Sequence, residues 1–538
     1  MTIDLFYIVF RNPYIRKHIR NNALKGIEIR VDVNDLNSDS VYKHLALLSD
    51  HDKLMYNIHT LFSIKKKHNL HEYINHPHRH IISSLFINHY VIDETDYQLK
   101  EINFEFSSLG SHITKFEFYL DSNVRVGGQP PETITELCLK RTSSMENRRA
   151  FEILDNILSN LPSKLKKLDI PNNFNLGNKY NLPESLVDLN FLSRCSDLKS
   201  FNVPGNKVYK SVGASVISKE ELNWLFSQTW ISNISISGLP YPIGKNMIPP
   251  HTRALMVEYP GAEFDVNCLP PSLERLSARS LECTNNEPLS KLFQFSNLKN
   301  LYVYDMPKLV QGLLPISLEM LTLSLYNDLL EHSVLPPRLK ILDLPRYDKD
   351  LGESVLPKSL TQLTLSKFYK RLRANVLPQG LKTLILYEFN NTIEPTALPT
   401  SLTSLVMYCF TGSFASITSP LSNLQYLAIH SLTNSISTLL GNIRKIEISF
   451  EEIVDQHSLQ NITSIQHLIL LFMQRSVPLS LPVGLLPPNI KHLSLINISI
   501  NDANVIPYGC LYLEIKSRNL DTTLLPSSIK HIKYSKGI

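Results

Sequence analysis

The chain has 538 residues, of which 43% are hydrophobic and 19% are charged, and this composition excludes an intrinsically disordered protein. Its 54 basic and 49 acidic side chains leave a net charge of +5, too small for this length to indicate a nucleic-acid partner. A chain this long exceeds one ordinary hydrophobic core, so it contains either several domains or an internal repeat.

The first residues, MTIDLFYIVFRNPYIRKHI, differ from a secretory signal. A signal peptide has basic residues before its apolar segment, whereas here Asp4 precedes the apolar residues and Arg11 follows them. No stretch of about 18 uninterrupted apolar residues occurs, so we expect no membrane partner. The six cysteines are widely spaced without a CxxC pair, which favours reduced thiols. We therefore predict a cytoplasmic protein and leave a nuclear location open.

Residues 1–104 lack the repeat that follows. Leu5, Ile8 and Val9 share one helical face, and the same spacing continues after Pro13, which predicts two short helices. We interpret residues 1–104 as a mainly helical cap that shields the end of a repeat array.

From residue 105 to residue 538 the sequence repeats itself. Five copies of the pattern LPxxLxxLxL, with methionine as the last letter of the fifth, follow one another at intervals of 21 residues. They are LPISLEMLTL, LPPRLKILDL, LPKSLTQLTL, LPQGLKTLIL and LPTSLTSLVM, which start at Leu314, Leu335, Leu356, Leu377 and Leu398. Further copies extend on both sides, with less regular stretches near residues 195–247 and 275–294.

The ten-residue pattern has the spacing of a short strand. We number it from its first leucine, so that positions 8 and 10 of the copy at 398 are Leu405 and Met407. Successive residues of a strand point to opposite faces, so positions 8 and 10 face a core and positions 7, 9 and 11 face outward. One strand cannot bury its apolar face alone, but stacked copies can. We predict a repeat solenoid, a leucine-rich-repeat-like parallel β array with units of about 21 residues and a short helical N-terminal region.

The second half of each unit is predicted to be a return loop with apolar packing residues at positions 13, 17 and 21. Position 13 is aromatic in each of the five copies: Tyr326, Tyr347, Phe368, Phe389 and Phe410. Position 17 is occupied by Leu330, Leu351, Leu372, Ile393 and Phe414. We expect the polar residues between these positions, such as Asn390 and Asn391, to be exposed.

The stretch FNNTIEPTALPTSLTSLVM closely resembles the FNIP repeat, a leucine-rich-repeat relative of about 22 residues that is expanded in social amoebae. The matching letters are Phe389, Asn390 and Ile393, then Leu398-Pro399 and Ser401-Leu402. Ordinary leucine-rich repeats carry asparagine three residues after the last strand leucine, where this chain has an aromatic residue. The resemblance therefore implies that the asparagine ladder is missing or shifted. It also implies a protein-interaction role, without catalytic residues to transfer.

No motif of enzyme chemistry accompanies the repeats. GxGxxG after a strand, GxxxxGK[ST], GxSxG and HExxH are all absent. His76, His78 and His80 alternate, but no cysteine or carboxylate pair supports them, so we predict no metal site. We predict that the chain is not an enzyme and binds no cofactor. A catalytic site within residues 195–247 is a further hypothesis, for which no motif is present.

The outward positions of the copies at 377, 398 and 421 indicate where a partner binds. The candidate partner-binding residues are Ile385, Tyr387, Val406, Tyr408 and Tyr426. In register, Ile385 lies beside Val406 and Tyr387 beside Tyr408, which forms an apolar and aromatic patch typical of an interface centre. The same residues are also explained as favourable pairs between neighbouring strands. Both interpretations remain open.

These observations predict a non-catalytic interaction scaffold that binds a protein partner on the concave sheet. The alternative is a substrate adaptor of a ubiquitin ligase. In members of the family the N-terminal region sometimes resembles a degenerate F-box, a helical module that docks a protein onto a ligase scaffold. That interpretation places the docking module within about the first 60 residues.

Overall fold

The computed structural model describes residues 13–92, 101–142, 148–172, 174–205, 207–293, 297–474, 478–517 and 521–536. Leu5, Ile8 and Val9 of the first predicted helix lie outside the described residues. The chain forms two compact units, Met1–Gly238 and Leu239–Ile538.

The first unit is built on a ladder of parallel strands, each hydrogen-bonded to the next along the chain. Its strands are Glu28–Val31, His59–Lys66, Ser84–Ile92, Lys115–Tyr119, Glu136–Lys140, Lys167–Asp169, Asp188–Arg194, Tyr209–Val216 and Ile231–Ile236. Shorter parallel pairs join Ile102–Glu105 to Val124–Gly127 and Tyr180–Asn181 to Phe201–Asn202.

Helices form much of the return path of the first unit. The α-helices are Pro13–Ala23, Val33–Asn37, Asp39–Ala46, Asp50–Tyr56, Lys67–Asn75, Arg148–Ser159, Cys195–Leu198 and Lys219–Leu225. Two 3₁₀ turns lie at Arg79–Ile81 and Phe106–Ser108. The longest of these helices, Arg148–Ser159, buries one face through Ile153, Leu154 and Ile157, as its apolar spacing requires.

The parallel ladder begins at Glu28, well before the boundary at 104/105 that the sequence suggested. Phe62 and Ile64 pair in register with Leu85 and Ile87, and these four buried residues take the places of positions 8 and 10. These early strands lack the leucine-proline pair that marks the later copies, which is why the repeat pattern did not reveal them. Helices and ladder strands are therefore interleaved within residues 13–92.

In the irregular stretches the return path differs from that of the regular copies, but the parallel strand ladder continues. Within residues 195–247, the strand Tyr209–Val216 pairs with both of its neighbours, with one register shift between Tyr209 and Gly213. The helices Cys195–Leu198 and Lys219–Leu225 occupy the return segments. The added length in these units is thus absorbed outside the sheet.

The second unit has the same architecture with shorter strands in its regular copies. Its ladder strands are Ala254–Val257, Arg275–Ser280, Asn300–Asp305, Met320–Leu323, Ile341–Asp343, Gln362–Thr364, Thr383–Ile385, Ser404–Met407, Tyr426–Ile429, Lys445–Phe450, His467–Phe472, His492–Ile496, Tyr512–Ser517 and His531–Lys536. The predicted leucine-rich-repeat-like parallel solenoid is confirmed.

The remaining elements of the second unit are short and lie on its return path. Parallel pairs join Glu263–Phe264 to Glu282–Cys283, Ser431–Leu432 to Glu452–Ile453, and Leu479–Ser480 to Ile498–Ser499. The α-helices are Leu289–Leu292 and Ile436–Leu439, and 3₁₀ turns lie at Thr284–Asn286 and Thr522–Leu524.

The core of each regular copy is formed as the spacing predicted. Leu384 and Leu386, at positions 8 and 10, are fully buried, and so is Phe389 at position 13. Phe389 stacks on Phe368 and on Phe410, with ring centroids 6.2 and 5.8 Å apart. Offset aromatic stacking adds to the burial energy of such rings. The FNNTI stretch is therefore a packing turn, with Asn390 and Asn391 exposed.

Two kinds of side-chain hydrogen bond join neighbouring copies. The serine of LPxSL donates to a main-chain carbonyl of the preceding copy: Ser401 Oγ lies 2.5 Å from Leu381 O, and Ser359 Oγ lies 2.6 Å from Leu339 O. At position 14, the main-chain N of Thr411 donates to Asn390 Oδ1 over 3.1 Å. Asn327 and Asp348 accept the same kind of bond from the next copies, so the ladder is shifted to the residue after the aromatic and is interrupted at Tyr369.

Candidate partner-binding face

The outward residues of the regular copies form three aligned rows, which we call the central face. Position 7 is occupied by Asn300, Met320, Ile341, Gln362, Thr383, Ser404 and Tyr426. Position 9 is occupied by Tyr302, Thr322, Asp343, Thr364, Ile385, Val406 and Ala428. Position 11 is occupied by Tyr304, Ser324, Pro345, Ser366, Tyr387, Tyr408 and His430. The strand register aligns positions 7 and 9 without a slip from Asn300 to Ala428.

The predicted aromatic patch lies at one end of this face. Ile385 pairs with Val406, and Ser404 pairs with Tyr426. The rings of Tyr387 and Tyr408 stack with centroids 5.4 Å apart and an angle of 15° between their planes. The pairing geometry that the sequence predicted is therefore present.

The five candidate residues differ in how much surface they offer. Tyr387 is 41% exposed, while Ile385, Tyr408 and Tyr426 are half-buried. Val406 is only 6% exposed, since it lies in the sheet between Ile385 and Ala428 and beside the tyrosines. Val406 thus supports the patch from below and presents little surface to a partner.

Hydrogen bonding holds the patch in place. Tyr426 Oη donates to Ser449 Oγ of the next strand over 3.2 Å. Burial, and after it the hydroxyl of Tyr426, raises the pKa of Tyr408, so the phenol of Tyr408 is neutral at ordinary pH. Tyr408 therefore combines an apolar ring with an uncharged hydroxyl, a chemistry that suits protein interfaces.

A second aromatic cluster, which sequence reasoning did not select, lies at the other end of the face. Tyr302 and Tyr304 are 43% and 41% exposed. Ser324 Oγ donates to Tyr302 Oη over 3.0 Å, and the guanidinium of Arg279 lies 5.5 Å from the ring centroid of Tyr304. Their copy, FSNLKNLYV, lacks the proline of the regular pattern. The same position numbering would have identified both residues.

Asp343 lies between the two aromatic clusters and is the one acidic residue of the three rows, which contain no Lys or Arg. It pairs in register with Thr322 on one side and Thr364 on the other. Its Oδ1 is buried and has no hydrogen-bond partner. Burial raises the pKa of Asp343, because desolvation disfavours the ionised carboxylate. Asp343 occupies outward position 9 of the copy at 335, so the position numbering could have identified it from the sequence.

In the part of the chain that the structure describes, no group of three or more His, Cys, Asp or Glu side chains could hold a metal ion. All six cysteines are free thiols. Among the described helices, none is long and apolar enough to cross a membrane.

Comparison with known families and structures agrees with the repeat assignment. The FNIP Repeat profile matches residues 326–368 and 368–409, so the chain contains FNIP repeats, as the FNNTI stretch predicted. No curated protein sequence matches the chain significantly.

Solved structures with similar folds are distant in sequence. CroV588, described as a novel circular LRR protein, is 18% identical, with 88% of this chain and 69% of that chain covered and a TM-score of 0.38. YopM from Yersinia enterocolitica WA-314 is 16% identical, with 79% and 87% covered and a TM-score of 0.35. The mouse RP105/MD-1 complex gives 14% identity, 84% and 89% coverage and a TM-score of 0.48. At these TM-scores the similarities carry nothing about what this chain binds.

Proposed function

We propose that this leucine-rich-repeat-like protein is a non-catalytic scaffold that binds a protein partner on the central face, the sheet surface that the sequence predicted to be concave. The contact residues are Ile385, Tyr387, Tyr408 and Tyr426, and Val406 backs them. The observation that carries the proposal is the stacked pair Tyr387–Tyr408 on a regular ladder, with Tyr387 41% exposed. Large, rigid aromatic side chains dominate the energetics of protein interfaces.

Cross-strand pairing alone accounts for part of this arrangement. A stacked tyrosine pair contributes roughly 0.2–1 kcal/mol to a sheet without any partner. Stacking on Tyr408 buries one face of the Tyr387 ring. The rest of the ring remains in contact with water. A partner that covers this surface would remove apolar area from water, which is favourable.

The test is the double variant Tyr387→Ser/Tyr408→Ser of the full chain. Tyr508→Ser is the matched control, because Tyr508 is 81% exposed and lies outside the central face. Quantitative affinity capture from the source cells should yield at least one protein that wild type and the control retain and the double variant loses. Thermal unfolding should show that all three proteins remain folded. If wild type and the double variant capture an identical set of proteins, the two tyrosines do not contribute to the interface.

The ligase-adaptor alternative stays a prediction. Residues 1–12 of the predicted docking module lie outside the described residues, and the described part begins with the helix Pro13–Ala23. The next element, Glu28–Val31, is already a strand of the ladder. No observation favours the adaptor role over the scaffold role.

A further inference from the structure

The carboxylate of Asp343 lies at the middle of a face that is otherwise uncharged. Its strand neighbours in the row are Thr322 and Thr364, and the rows of positions 7 and 11 contain no Asp, Glu, Lys or Arg. Aromatic residues lie on both sides of it along the face, with Tyr302 in one direction and Tyr387 in the other. Asp343 is thus a half-buried acidic residue surrounded by uncharged side chains.

No described residue of the chain neutralises this carboxylate. Oδ1 of Asp343 is buried without a hydrogen bond, and no Lys or Arg of the described residues forms an ion pair with it. Two lysines of the same and the next repeat form ion pairs elsewhere: Lys340 Nζ lies 2.7 Å from Glu319 Oε2, and Lys367 Nζ lies 2.5 Å from Glu388 Oε1. A carboxylate oxygen taken from water without a partner costs free energy that a cation can offset.

The spacing of the sheet limits how a partner would lie. Neighbouring strands are about 4.8 Å apart, so Asp343 lies roughly 10 Å from the row position of Tyr302 and roughly 10 Å from that of Ile385. An extended peptide advances about 3.3 Å per residue, so roughly three residues separate these points. A segment that crosses the strands would thus place one side chain at Asp343 and apolar side chains about three residues before and after it.

We propose that the partner of the central face inserts an arginine or lysine at Asp343, flanked by apolar or aromatic residues that lie on the Tyr302–Tyr304 and Tyr387–Tyr408 clusters. This inference rests on the proposed function and adds the chemical class of the partner. Arginine suits the position best, because its guanidinium donates a charge-assisted hydrogen bond to the outer carboxylate oxygen while its plane stacks on aromatic rings. Charge complementarity selects a basic segment and rejects an acidic one.

The experiment selects peptides from a random library displayed on phage, with the intact chain as the target. The matched targets are Asp343→Asn, which keeps the shape and removes the charge, the double variant Tyr387→Ser/Tyr408→Ser, and Tyr508→Ser as control. Selected peptides should carry Arg or Lys between apolar residues. Their affinity should fall about tenfold or more on Asp343→Asn and on the tyrosine double variant, and stay unchanged on Tyr508→Ser.

The outcomes separate the two proposals. Peptides that need the tyrosines, lack a basic residue and bind Asp343→Asn normally would overturn the cation inference and leave the scaffold proposal standing. Peptides that need Asp343 but bind the tyrosine double variant normally would support a basic side chain at Asp343. They would contradict the tyrosine interface. A selection in which no peptide depends on either site would overturn both. Asp343→Asn should unfold at the same temperature as wild type or higher, because it removes a buried unpaired charge.

Discussion

At the residue scale, position 20 of the first four regular copies shows a requirement that the sequence pattern hides. Ser333, Ser354, Asn375 and Thr396 occupy it with φ values of 62°, 58°, 61° and 63°. This left-handed region suits glycine and asparagine, whereas a β-branched residue in it is strained. The sequence has serine, serine, asparagine and threonine here, so no residue type marks the turn. Only the backbone reveals it.

We expect Thr396→Asn to stabilise the chain by about 1 kcal/mol, because it relieves a β-branched residue of left-handed strain. The reciprocal change Asn375→Thr, one repeat away, should destabilise by a similar amount. Both side chains are exposed, so packing changes little. Urea unfolding midpoints measure the two effects, and midpoints that move in the same direction would contradict the strain explanation.

At the scale of the element, the return loop is held by stacked aromatic rings and by hydrogen bonds that reach the next copy. The sequence predicted the rings, because their spacing is visible within one copy. It did not place the asparagine ladder, because its hydrogen bond from Thr411 N to Asn390 Oδ1 joins residues 21 positions apart. A pattern within one loop cannot show which main-chain group of the next loop comes within reach.

Phe389→Ala should cost about 3–5 kcal/mol, because Phe389 is fully buried between two other rings and leaves a cavity. Tyr387→Ala, two residues earlier in the same copy, should cost no more than about 1 kcal/mol, since its ring is partly exposed and pairs only across strands. Denaturant unfolding compares the two variants directly. Equal losses would show that the inward and outward faces are not energetically distinct.

At the scale of the whole molecule, each unit is a one-dimensional stack in which a copy bonds mainly to its two neighbours. Such arrays have stabilities that are sums of repeat and nearest-neighbour contributions. A local defect should therefore spread over adjacent copies and fade with distance. This behaviour differs from that of a globular domain, which unfolds as one cooperative unit.

In the Phe389→Ala variant, amide hydrogen exchange should speed up most in the adjacent strands Gln362–Thr364, Thr383–Ile385 and Ser404–Met407. The strand His492–Ile496, several copies away in the same unit, should exchange nearly as in wild type. Mass spectrometry of exchanged peptides resolves these segments. Uniform acceleration across the unit would indicate global cooperativity instead of nearest-neighbour coupling.

Much of the fold was readable from the sequence because its determinants are local. The 21-residue interval, the apolar residues at positions 8 and 10 and the aromatic residue at position 13 were sufficient to predict the ladder and its core. The early strands were missed because Phe62 and Ile64 follow the same alternation without the leucine-proline pair. The candidate face was predicted in part: Tyr387 and Tyr408 were selected, while Tyr302, Tyr304 and Asp343 were not.

The sequence by itself determined which residues point inward, since strand alternation and repeat spacing depend on neighbours a few positions away. Only the tertiary structure decided what covers each outward residue. Val406 and Tyr387 both occupy outward positions, yet Val406 is 6% exposed and Tyr387 is 41% exposed, because side chains from adjacent copies cover one and not the other. Likewise, only the tertiary structure shows that the Asp343 carboxylate has no hydrogen-bond partner at Oδ1, because possible partners come from neighbouring copies.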